Sequence, residues 1–159
     1  MDIQYLKRSL SGSYLIQANR ICDLIGLHFA SKPDGIEGDI LYSFHIQCWM
    51  RILTKNRVVA SSDEMYFALD YNNNDFHYDT DESLFDKNMR GFIKHHKTVP
   101  VANVEVNEYG DLVLHFDDES IIQVIASSSD DEDELWRFMA GKDQPHLIRG
   151  VTGFELSEE

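Results

Sequence analysis

The chain has 159 residues, 43% apolar and 26% charged, with a formal net charge of −14. That balance fits one folded domain with one core and excludes global disorder. No apolar stretch reaches the roughly 18 residues of a membrane span, and Met1 to Leu10 carries Asp2, Lys7 and Arg8 where a signal peptide needs an apolar core, so a cytoplasmic protein with no membrane partner is expected.

Ile3, Leu6 and Leu10 are spaced for one face of a short helix ending near Gly12. Tyr14 to Ala30 mixes a helical stripe with an apolar Leu27-His28-Phe29 run and is read as extended structure. Pro33, Gly35 and Gly38 make Ser31 to Asp39 a loop. Tyr42 to Leu53 reads as one long strand: Tyr42, Phe44, Ile46, Cys48, Met50 and Ile52 alternate with Ser43, His45, Gln47, Trp49, Arg51 and Leu53, and the first set should face the core. A turn at Lys55-Asn56 closes a hairpin with Arg57 to Ala60.

Ser61 to Glu82 shows no period and is long for a connection, as functional or disordered loops are. Ser83 with Asp86 reads as an N-terminal capping box. Leu84, Phe85, Met89, Phe92 and Ile93 form the apolar stripe of the helix that follows, which should end near His95-His96. The remainder reads as a meander: Val101–Val106, a turn at Tyr109-Gly110, Asp111–Phe116, a turn at Asp117-Asp118, Ser120–Ala126, an acidic run Asp130 to Glu134, Leu135–Ala140, and a last strand from His146 to Leu156. Ile121, Ile122, Val124 and Ile125 are apolar on both faces, the mark of a central strand with a helix over one side. The expected fold is therefore α+β: a single domain over residues 1–159, mainly antiparallel sheet, with one or two helices packed on one face.

The charge is unevenly spread. Residues 1–102 hold 13 acids and 11 bases, and residues 103–159 hold 15 acids and 3 bases. Such a surface repels nucleic-acid phosphates and attracts basic partners. Direct nucleic-acid binding is not expected, and the run Asp130, Asp131, Glu132 and Asp133 is a candidate docking surface.

The alternate face of the Tyr42–Leu53 strand would present His45, Gln47, Trp49 and Arg51 in a row, groups able to bind an anion or a partner's backbone. The structural alternative is a half-buried sheet face whose polar groups satisfy one another. In Glu134-Leu135-Trp136-Arg137-Phe138, Trp136 reads as a core anchor and Arg137 as the partner of a carboxylate on a neighbouring strand; both join the candidate site if the two strands are neighbours. Asp70, Asn72, Asn74 and Asp81 fall at positions 1, 3, 5 and 12 of a calcium loop, but Asp75 stands where glycine is needed and Asp81 where a bidentate glutamate is needed. A solvated polar loop is expected instead.

None of the seven histidines shows HExxH spacing, and His95 and His96 are adjacent on a helix, so no metal site is expected. Cys22 and Cys48 lack a CxxC pair and read as two buried, reduced thiols. Cys48 and His45, three apart on a strand, would point to opposite faces and cannot form a thiolate–imidazolium pair. There is no GxSxG, P-loop or GxGxxG, and no cofactor is expected.

The segments Phe44-His45-Ile46-Gln47-Cys48-Trp49-Met50-Arg51-Ile52, Glu134-Leu135-Trp136-Arg137-Phe138 and His146-Leu147-Ile148 resemble a family of small bacterial proteins of unknown function, whose members carry an LHIQC-W-RI strand and a C-terminal E-WRF strand. Here Met50 separates the Trp and Arg that the family keeps adjacent. The resemblance implies a bacterial, cytoplasmic origin and brings no assigned catalytic residue. Small acidic proteins of this kind include immunity proteins encoded beside secreted toxins, by analogy only.

These readings lead first to a non-enzymatic acidic protein that binds a basic protein through its last third, with the aromatic-rich loop from Met65 to Tyr78. The alternative is a small-molecule-binding or enzymatic domain built on His45, Gln47, Trp49 and Arg51, which requires a concave pocket over that face. A homodimer formed through sheet edges is the third.

Overall fold

A computed structural model describes residues 1–157. The chain runs α1 (Ile3–Leu10), β1 (Tyr14–Ile21), β2 (Leu24–Ala30), β3 (Ile40–Ile46), β4 (Trp49–Thr54), β5 (Arg57–Ser61), α2 (Leu84–His96), β6 (Val101–Val106), β7 (Leu112–Phe116), β8 (Ile121–Ile125), β9 (Glu134–Met139), β10 (Leu147–Gly150) and β11 (Phe154–Leu156). Two antiparallel sheets result. One has six strands in the order β1-β2-β3-β9-β10-β11, and the other has five in the order β5-β4-β8-β7-β6. The fold is α+β, and both sheets and both helices contribute to one hydrophobic core.

Phe44 sits among the aromatic rings of that core. Its ring centroid lies 6.3 Å from Phe29, 5.8 Å from Trp136 and 5.2 Å from Phe138. Register makes this cluster: Phe44 pairs with Leu27 on β2 and with Phe138 on β9, while Ile46 pairs with Trp136. Trp136 is fully buried, and its indole N–H donates to the Gly110 carbonyl at 2.7 Å, tying the six-stranded sheet to the β6–β7 turn. Gly110 has φ +94°, and a Cβ there would stand 2.6 Å from Arg149 Nε, so backbone conformation and space both exclude a side chain.

The long strand expected over Tyr42–Leu53 is two strands in different sheets. After Ile46 the chain leaves the six-stranded sheet. Gln47 donates its N–H to the Leu135 carbonyl, Trp49 donates its N–H to Ser127 Oγ, and β4 pairs with β8 and β5. The apolar alternation survives the crossing because both inner faces look onto the same core: Phe44 and Ile46 enter it from one sheet, Met50 and Ile52 from the other. Likewise, the single strand expected over His146–Leu156 is the hairpin β10–β11, closed by a Gly150 N–H to Gly153 carbonyl bond of 3.0 Å.

Other expectations hold. Tyr14–Ala30 is the hairpin β1–β2. Lys55 and Asn56, at φ 29° and 72°, form the two-residue turn between β4 and β5. Strand β8 is central in its sheet, but among the described residues no helix packs over it as expected: α2 lies on β1 and β5 and α1 on β6, so Ile122 and Val124 are buried while Ile121 and Ile125 on the other face are half-buried. Helix α2 starts at the Ser83–Asp86 capping box and carries Lys94, His95 and His96 in its last turn, where the Lys94 charge offsets the helix dipole. It packs along β1 and also touches β5, so it bridges an edge strand of each sheet, while α1 packs on β6. No helix among the described residues is long and apolar enough to cross a membrane.

Candidate functional site

The crossing at Gln47-Cys48 divides the predicted row of side chains. His45 stays on the outer face of the six-stranded sheet, opposite Arg137. Gln47 is exposed in the connection, and Trp49 and Arg51 belong to the five-stranded sheet. The two motif strands are neighbours only through β3 and β9, so Arg137 joins His45 while Trp136 lies beneath in the core. Arg51 donates to Gln123 Oε1 at 2.7 Å and stacks over Trp49 at 5.4 Å, whose indole donates to Asp63 at 3.1 Å. These contacts are the mutual satisfaction expected of a half-buried sheet face.

Around His45 the outer face forms a polar row. Arg137 makes a two-point contact with Glu134, at 3.0 and 2.6 Å, on its own strand rather than a neighbouring one. It also donates to His146 Nδ1 at 3.2 Å, and the Glu134 carboxylate raises the guanidinium pKa. Burial pushes the His45 imidazole down, with Arg137 and His146 adding to the shift. His28, one register step away, is also pushed down, by burial and then by His45. Its ring nitrogens lie 2.8 Å from Ser43 Oγ and 3.0 Å from Asn19 Oδ1, an arrangement a neutral ring satisfies. Gly26 makes room for it, since a Cβ there would fall 2.0 Å from Asn19 Oδ1.

The two cysteines are free, but only one is shielded. Cys48 is half-buried, and burial pushes its thiol up to about 12. Cys22 is exposed at the tip of the β1–β2 hairpin, contrary to the buried pair expected from its apolar neighbours; Ile21 beside it is exposed too.

The segment 61–82 carries the most distinctive surface. It holds seven acids (Asp63, Glu64, Asp70, Asp75, Asp79, Asp81 and Glu82) and no Lys or Arg. Within residues 1–102 this acidity is offset by the bases before residue 60 together with those of α2 and Lys97. Aromatic rings stand out from the same segment: Tyr71 is 97% exposed, Tyr66 53% and Phe67 52%. Tyr66 packs on Tyr78 at 4.9 Å. The carboxylates of the failed calcium pattern serve as turn acceptors: Asp70 takes the Asn72 N–H at 2.9 Å and Asp81 takes the His77 N–H at 2.9 Å.

Arg20 fastens this segment, and nothing in the sequence marked it. Its side chain is 7% exposed. Nε and Nη2 clasp Asp86 at 2.9 and 2.7 Å, and its remaining donors reach the carbonyls of Cys22, Tyr78 and Asp81. Burial alone would raise the Asp86 pKa, but hydrogen bonds from Arg20 and Ser83 win and hold it below the ordinary carboxylate value. One guanidinium therefore joins the end of β1, the start of α2 and the far end of the acidic segment. Trp49 joins Ser127, through its backbone N–H, to Asp63, through its indole. Asp130, Asp131, Glu132 and Asp133 are all exposed, in a turn closed by the Asp133 N–H to the Asp130 carbonyl.

Two concavities of similar size lie away from the His45 face. One of about 520 Å³ lies over the β4–β5 hairpin, where Arg51 meets Lys55, Arg57 and Ile121. The other, about 510 Å³, runs between β1 and α2. No family model, curated protein or solved structure matches the chain.

Proposed function

We propose that this chain is a non-enzymatic binding protein that docks a basic protein on its acidic, aromatic face. The specific form of the proposal is a toxin-neutralising protein of the immunity type, acting in the cytoplasm. The supporting observation is the segment 61–82: exposed Tyr66, Phe67 and Tyr71 rise from seven acids with no base among them. Aromatic side chains are the usual anchors of protein interfaces. Like charge in the same segment steers an oppositely charged partner and raises its association rate about 10- to 1,000-fold at low salt. The Arg20 clamp supports the reading, because a loop already held in shape loses less conformational entropy on binding. The acidic turn at 130–133 extends the same sign of charge.

The test is affinity capture from the native host with two baits, the wild-type chain and a Tyr66→Ser/Phe67→Ser/Tyr71→Ser variant, at low and high salt. All three side chains are exposed, so the variant retains the core. A basic protein held by the wild type at low salt, released at high salt and missed by the variant supports the proposal. Retention that ignores salt, or that is equal for both baits, removes it.

A further inference from the structure

We propose that the groove between β1 and α2 is a binding site for a small anionic amphiphile, a molecule with an extended apolar body and one carboxylate or phosphate head. This inference does not depend on the acidic docking face. The groove volume of about 510 Å³ falls in the range of small-molecule sites, roughly 300–1,000 Å³.

The helical repeat builds one wall. Phe85, Met89 and Ile93, at i, i+4 and i+8, supply an apolar floor about 12 Å long. Ile16 and Ala18 complete it from β1. The irregular register between Leu15 and Gln17 leaves both Leu15 and Ile16 buried, as a bulge does when it turns an extra side chain inward. Ala18, by contrast, is small and leaves space.

Charge sets the direction of the ligand. Arg90, Lys94 and Lys97 lie along the groove in a protein with twice as many acids as bases (28 against 14). Arg90 is held by Glu82. Lys94 and Lys97 make no salt bridge among the described residues. At the opposite end the groove's own carboxylate, Asp86, is neutralised by Arg20. An anionic head is therefore favoured at the Lys94–Lys97 end, with the apolar body running back toward Phe85. The helix C-terminus carries a negative partial charge, so an anion there depends on both lysines together.

The test is calorimetric titration of the full chain at low salt with sodium dodecanoate and with dodecyl phosphate, each below its micelle concentration, and with neutral dodecyl maltoside. One saturable site for an anionic probe, absent or much weaker for the maltoside, is expected. A preference for dodecanoate identifies a carboxylate ligand, and a preference for dodecyl phosphate identifies a phosphate head. Lys94→Glu/Lys97→Glu should weaken binding by about tenfold or more. Lys94 is exposed and Lys97 is the half-buried C-cap, where glutamates oppose the helix dipole, so the unfolding midpoint should fall by a few degrees at most, and Lys94→Gln/Lys97→Gln, which only removes the charges, should also weaken binding. Ala18→Trp should fill the groove and abolish binding. No saturable binding of either anion, equal binding of the maltoside, or affinity unchanged in the charge-reversed variant overturns the proposal; a misfolded Ala18→Trp protein leaves the decision with that variant.

Discussion

Replacing Arg20 with alanine tests whether a single side chain fixes the acidic segment. The guanidinium is almost fully enclosed and makes a two-point contact with Asp86, whose side chain is 25% exposed. Removing one partner of a buried pair costs about 3–5 kcal/mol, because the other charge is left uncompensated. Here Asp86 keeps the Ser83 N–H at 2.8 Å and some water, so we expect the lower end, about 3 kcal/mol. For a chain of this length that lowers the unfolding midpoint by roughly 6–12 °C. The Tyr78 and Asp81 carbonyls lose their donor as well, so limited proteolysis should cut between residues 69 and 82 in the variant and spare the wild type.

The pH dependence has a fixed sign. The folded Asp86 pKa is depressed, so its contribution is present above the unfolded value near 3.9 and is lost as pH falls through the folded value. The stability gap between wild type and variant should therefore narrow under acid. A loss below about 1 kcal/mol at neutral pH, the size of an ordinary surface pair, or unchanged protection of the segment, would refute the clamp.

Two further expectations follow from the titrating groups. His28 and His45 are both held below the ordinary imidazole value, so the unfolded chain takes up protons first as pH falls. Stability is then fullest above about pH 6.5 and declines from there toward the depressed folded values. Melting curves at pH 7.5 and 5.5 should show this decline, and a His28→Gln/His45→Gln protein should flatten it; an equal slope in both would exclude these residues as its source. A disulfide reagent at pH 8 should titrate one thiol rapidly, the exposed Cys22, with Cys48 reacting only on denaturation. Two fast equivalents would contradict the shielding of Cys48.

What the sequence disclosed was what depends on near neighbours. The capping box at Ser83, the apolar stripe of α2 and the turn at Lys55-Asn56 are local in sequence, and each falls where its residues demand. The core list survived even a wrong strand: Phe44, Ile46, Met50 and Ile52 are all buried although a sheet crossing separates them. Alternation reports which side of the chain faces apolar surroundings, and it is silent on whether those surroundings belong to one sheet or two. The crossing itself depends on hydrogen bonds from Gln47 to Leu135 and from Trp49 to Ser127, partners roughly 80–90 residues away.

The candidate site was less legible for the same reason. His45 and Arg51 share a phase in the sequence and lie on different sheets, whereas His45 and Arg137 are 92 positions apart and directly opposed. Arg20 was invisible because its importance lies in partners at 78, 81 and 86, and an arginine in an alternating strand gives no sign of where its side chain ends. The acidic segment is legible in the sequence on a local scale. A sliding charge count over about twenty residues, in place of a division at residue 102, separates the base-free stretch 61–82 from the cationic helix that follows it. That helix is the element shared by both proposals. Its capping Asp86 anchors Arg20 and the acidic loop at one end, while its basic row lines the groove toward the other. Charge of both signs is thus sorted along thirteen residues, which whole-chain net charge cannot reveal.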